Sequence, residues 1–127
     1  MTYERFSEIT QEELKLLPAY VLEDLNGGVV VDEKTYLHPG RVEDDLYILG
    51  TYSTSSVMGR QIVLYYGSFM AVMGGADEDA FRAEIRHTLR HEFLHHMESR
   101  AGMNGKGSLA EQDAIKMQRY YMRHKKK

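Results

Sequence analysis

Apolar positions along the chain change their spacing several times, and each change marks an element. Ile9, Leu14, Leu17, Val21, Leu22 and Leu25 give an apolar face to a helix over Ser7 to Leu25, with Thr10 and Glu13 spaced as a capping box. Pro18 interrupts that span, so two short helical pieces satisfy the pattern equally well. Asn26-Gly27-Gly28 ends the segment, and Val29-Val30-Val31 predicts a short strand. Asp32 to Asp45, which contains His38-Pro39-Gly40, reads as loop. Leu46 to Tyr52 and Arg60 to Phe69, rich in Tyr, Ile, Val and Leu, predict two further strands. The Ser-, Thr- and Gly-rich stretch Thr51 to Gly59 between them predicts a hairpin with a long tip.

The period then changes to helical. Phe81, Ile85, Leu89 and Phe93 recur at four-residue intervals, and Met97 continues the row. Ala76-Asp77-Glu78-Asp79-Ala80 places acids where a helix start favours negative charge, and Gly102 follows Arg100 as a C-cap. Met103 to Gly107 reads as a glycine-rich turn, after which Ser108 caps a last helix to about Tyr121. Arg123-His124-Lys125-Lys126-Lys127 reads as a frayed, solvated end. The pattern describes an α+β chain, read as one domain over residues 1–127.

The long helix carries the chemistry on its other face. His91-Glu92-Phe93-Leu94-His95 fits the pattern His-Glu-x-x-His. Residues four apart lie on one helix face, about 6 Å along the axis, where two imidazoles can reach one Zn²⁺. Glu92 projects beside them and can accept a proton from a water that the metal activates. Of the 6 histidines, four fall between His87 and His96, a clustering that composition does not explain. His87 is one turn too far away to join the pair and reads as solvated or as a residue that supports a ligand from behind. His96, rotated about 100° from His95, reads as packed or hydrogen-bonded.

Composition removes other classes. A length of 127 residues suffices for an ordinary core without disulfides. The absence of cysteine excludes a thiol nucleophile and a Cys-based zinc finger. Met1 to Phe6 lacks the basic-then-apolar order of a signal peptide. The longest apolar run, Ile62 to Met73, is too short to span a bilayer. These features predict a cytoplasmic protein with no membrane partner. A net charge of −3 argues against a general nucleic-acid partner.

The order of elements resembles the small bacterial zincin-like metallopeptidases, single-domain proteins with a minimal zincin fold that were long classed as a family of unknown function. The resemblance rests on Leu16-Leu17-Pro18 before the first strand, Leu46 to Tyr52 in the middle strand, Arg60 to Tyr66 before the histidine helix, and the doubled histidine of His91 to His96. It implies a small three-stranded sheet packed on helices, with the histidine pair on a late helix. It also implies peptide hydrolysis, and strand Arg60 to Phe69 as a candidate edge for an extended peptide. Many relatives continue the motif with Phe-Gly-x-x-Asp, whose acid is a natural third ligand. Here Met97-Glu98-Ser99-Arg100-Ala101 stands in its place.

A catalytic zinc takes three protein ligands and keeps one position open. Glu98 lies a full turn beyond His95, too far for a straight helix to bring round. The last helix offers Glu111 and Asp113. Ser108 explains Glu111 through a capping box, whereas Asp113 interrupts the apolar row Leu109, Met117, Tyr120 and Tyr121. A carboxylate on such a face is costly unless paired or bound to metal. Asp113 is therefore the expected third ligand. Glu111 is the next choice, and orienting a ligand histidine is the other role open to Asp113. The expected activity is zinc-dependent hydrolysis of a peptide or protein substrate, with His91, His95 and Asp113 on the ion and Glu92 as base. A non-catalytic metal-binding interaction module is the alternative. The motif itself specifies activated water rather than the bond attacked, so a non-peptide substrate stays open.

Overall fold

The computed structural model describes residues 1–57, 59–101 and 109–125, with side chains of the last stretch described at 113 and 115–122. Its centre is strand β3 (Gly59–Tyr65), in which Ile62 and Leu64 have no exposed surface. Strand β1 (Gly28–Asp32) pairs with it in parallel, from Gly28 opposite Gln61 to Asp32 opposite Tyr65. Strand β2 (Gly50–Ser55) pairs antiparallel on the other side, from Gly50 opposite Leu64 to Ser55 opposite Gly59. The order is therefore β1-β3-β2, a three-stranded mixed sheet with β2 at one edge. Gly59, at φ +70°, ends the hairpin in a conformation that favours glycine, and a Cβ there would lie 2.9 Å from Asn26.

Helices cover the sheet. Helix α1 (Tyr3–Leu14) starts at Thr2, whose hydroxyl accepts from the Arg5 amide at 3.1 Å. It buries Phe6 and Ile9 completely. Helix α2 (Tyr66–Met73) follows β3 directly, α3 (Glu78–Ala101) crosses the sheet, and α4 (Leu109–Lys125) follows it in sequence. Phe81, Ile85, Leu89 and Phe93 of α3 are at most 4% exposed and close the core with Phe6, Ile9, Ile62, Leu64 and Phe69. None of the described helices is long and apolar enough to cross a membrane.

Several boundaries differ from those the sequence predicts. The first helix begins four residues earlier than Ser7 and stops at Leu14, with a separate 3₁₀ turn at Ala19–Leu22 after Pro18. Thr10 and Glu13 form no capping box. Both are buried inside α1, where the Thr10 hydroxyl donates to the Phe6 carbonyl at 2.9 Å. The span Arg60 to Phe69 is a strand only to Tyr65. The Ser68 hydroxyl accepts from the Tyr36 amide at 2.8 Å, and a Cβ on Gly67 would strike Thr35 and Lys34. Those small residues let the 34–36 loop close over a helix that a short apolar run cannot distinguish from a strand. Strand β2 starts later than Leu46, because Leu37 bridges Tyr47 and Tyr36 accepts from the Ile48 amide. It also runs on to Ser55, so the hairpin tip is short. Met97 leaves the buried row at 38% exposure, and His96 takes its place in the interior. Gly102, Met103 to Gly107, Ser108 and the side chains of Glu111 and the basic tail lie outside the described residues.

Candidate metal centre

Two faces of α3 separate its tasks. Phe81, Ile85, Leu89 and Phe93 point into the core, and this fixes the rotation of the helix. His91 and His95 are thereby left half-buried on the side towards α4, with ring centroids 5.1 Å apart. From α4, Asp113 reaches between them. Its Oδ2 lies 3.2 Å from His91 Nε2 and 2.8 Å from His95 Nε2. The three donor atoms all lie within 4.8 Å of one another, and these residues form the one such group among the described residues.

That donor set fits zinc. Ligand atoms at ~2.0–2.2 Å in a tetrahedron lie roughly 3.3 Å apart, and the two His–Asp separations of 3.2 and 2.8 Å need to open by only a few tenths of an ångström. Two imidazoles and one carboxylate would leave a tetrahedral ion one position for water.

Glu92 stands next to this group at 6% exposure. Burial, and after it the negative charge of Asp113, push its carboxyl up to about 8. No cation among the described residues pairs with it. A divalent ion at the neighbouring donors would favour the charged form again.

Behind the histidines, His96 is fully buried and tied at both nitrogens. Nε2 lies 2.7 Å from the Glu23 carbonyl, which can only accept, so Nε2 carries the proton. Nδ1 is then the acceptor for the Tyr52 hydroxyl at 2.9 Å. This chain joins α3 to β2 and to the 3₁₀ turn, and it holds the helical turn that carries His95. Gly50 supports the same contact, since a Cβ there would stand 2.8 Å from Thr88 Cγ2. The strand and the helix can approach closely only without a side chain at position 50.

A cleft of about 800 Å³ opens over these residues. Leu46 to Tyr52 line one wall, α3 from Glu84 to His95 another, and Asp113 to Tyr120 of α4 the third. His87 is exposed and lines the cleft without joining the metal group. Glu98 is likewise outside that group. Sequence reasoning missed the part taken by Tyr52, Thr88 and Gly50, because nothing in their local spacing announces a contact made across the sheet.

The sequence profile of the zincin-like metallopeptidases matches residues 29–106, more than half of the chain. The chain belongs to that family. Its fold agrees with a small zincin-like architecture. It is similar, with a TM-score of 0.67 and 34% identity, to the solved structure of a conserved hypothetical protein from Thermus thermophilus. The match covers 81% of this chain and 100% of that one. No curated protein matches the sequence. The profile ends before α4, so Asp113 lies outside the matched residues, whereas His91, Glu92 and His95 lie within them.

Proposed function

We propose that this zincin-like chain is a zinc-dependent peptidase, with the ion held by His91, His95 and Asp113 and with Glu92 as general base. The observation that carries the reading is the convergence of one Asp113 oxygen on both Nε2 atoms, at 3.2 and 2.8 Å, beside a buried acid with no cation partner among the described residues. Zinc bound there supplies a Lewis acid for the scissile carbonyl and lowers the pKa of water towards about 7. Glu92 takes the proton from the attacking water and returns it to the departing amine. Its buried setting strengthens it as a base relative to an exposed carboxylate.

The wall at Leu46 to Tyr52 offers a place for an extended peptide. Strand β3, which includes most of Arg60 to Phe69, is paired on both sides and has no free edge. The free edge on the cleft is that of β2, at Gly50, Thr51 and Tyr52. Backbone pairing along it would position the scissile bond over the histidines, as peptides commonly add to exposed sheet edges.

Zinc content of purified protein and digestion of a peptide library, with and without chelator, test this reading. The expected result is about one ion per chain, as the one donor group among the described residues implies, with cleavage that chelator abolishes and zinc restores. Binding without hydrolysis of any library peptide would leave the metal-binding module instead. Full zinc occupancy in a His91→Ala/His95→Ala double variant would remove the site itself.

A further inference from the structure

The walls of the cleft carry charge that the metal group does not use. Lys116 and Arg119 line it from α4, and both are exposed. Neither forms an ion pair with a described residue. They lie three and six residues beyond Asp113 on the same helix, about 4.5 and 9 Å further along its axis. Glu84, on α3, is the acid that lines the cleft besides Glu92 and Asp113. A divalent ion in the metal group would offset the charges of Asp113 and Glu92. Asp45 accepts the Tyr120 hydroxyl at 2.9 Å beside the cleft, but among the residues that line it Lys116 and Arg119 then outnumber Glu84, so the wall of the loaded cleft is positive.

His38 adds to that character without adding charge. Its Nδ1 accepts the Gly40 amide at 2.8 Å, so the neutral ring carries its proton on Nε2 and offers a donor. An extended peptide advances about 3.3 Å per residue. Offsets of about 4.5 and 9 Å along α4 correspond to roughly one to three residues of such a peptide. We infer that the cleft selects peptides bearing a carboxylate within about three residues of the scissile bond. This rests on the peptidase reading. The carboxylate can be an Asp or Glu side chain or a free C-terminus, since both present the same group to Lys116 and Arg119.

Fluorescence anisotropy with zinc-loaded Glu92→Gln protein tests the inference without turnover. Three peptides of equal length are compared: neutral and amidated, the same with one Glu two residues from the centre, and neutral with a free C-terminal carboxylate. At least one carboxylate peptide should bind about 3- to 10-fold more tightly than the neutral amidated one, less so at high salt. Which of the two gains more identifies the source. In Lys116→Ala/Arg119→Ala the ratio should fall towards one, and in Lys116→Glu/Arg119→Glu it should invert. Equal binding of all three, or a preference that survives the double substitution, overturns the inference. If wild-type protein cleaves all three without preference, the carboxylate selection falls while the peptidase reading stands. If none is bound or cleaved, both fall together.

Discussion

Glu13 and Glu92 both have little exposed surface, at 4% and 6%, yet the protein moves their carboxyl groups in opposite directions. Glu13 sits where α1 packs on the first half of α3. Arg86 Nε donates to its Oε1, and Arg82 Nη1 lies 3.4 Å from its Oε2 while Nη2 pairs with Glu12 at 2.7 Å. The Arg86 hydrogen bond outweighs burial and holds Glu13 below the usual carboxylate range. Glu92, in the second half of the same helix, has burial and a like charge against it and rises to about 8. The paired buried acid in one half serves architecture. The uncompensated one in the other half is a destabilising feature kept beside a donor set, as expected of a functional site.

The strongest way to break this contrast is to neutralise Glu13. Glu13→Gln should cost about 1–3 kcal/mol near neutral pH, the scale of charge-assisted hydrogen bonds, read by denaturant melts. Because the folded pKa of Glu13 is depressed, its contribution is present above the unfolded value of 4.5 and is lost as pH falls through the lower folded value. The variant should therefore show a flatter acid limb than wild type. An unchanged limb would mean that the Arg82–Arg86 cluster is not what stabilises α1 against α3.

Glu92→Gln should do the opposite. In chelator-treated protein the folded Glu92 holds a proton that the unfolded chain has released, between about 4.5 and about 8. Stability accordingly falls as pH rises through that window. Removing the acid should raise stability by about 1–2 kcal/mol above pH 8, as often happens when a strained functional group is replaced. A loss of stability there would place Glu92 among the architectural acids. Tyr52→Phe is the smallest test, at about 1 kcal/mol for one hydrogen bond. It should also release the tautomer of His96, visible in the ring-nitrogen NMR shifts.

Much of this was legible in the chain. The four-residue row from Phe81 to Phe93 fixes which way α3 faces, and with it the side on which His91 and His95 emerge. The position of Asp113 within an apolar row marked it as a carboxylate in need of a partner, and it lies against both histidines. What stayed hidden depends on contacts distant in sequence. Glu13 looked like part of a cap because Arg82 and Arg86, its partners, are about seventy residues away in the chain. The helix at Tyr66–Met73 looked like the end of a strand because its helical state depends on the loop that closes over Gly67 and Ser68. The expected peptide edge moved from β3 to β2 because strand order, unlike strand existence, is not written in local periodicity.

Zinc affinity and hydrolysis measured side by side in Asp113→Ala and Glu92→Gln test the central claim most directly. The account predicts that Asp113→Ala loses zinc affinity by well over the roughly 10–100-fold typical of a group that only orients a ligand, and that hydrolysis goes with it. Glu92→Gln should keep near-wild-type zinc affinity and lose hydrolysis alone, since the amide keeps the shape and cannot take the proton. Zinc held undiminished by Asp113→Ala, or lost from Glu92→Gln as completely as from the double histidine variant, would contradict the assignment of ligand and base.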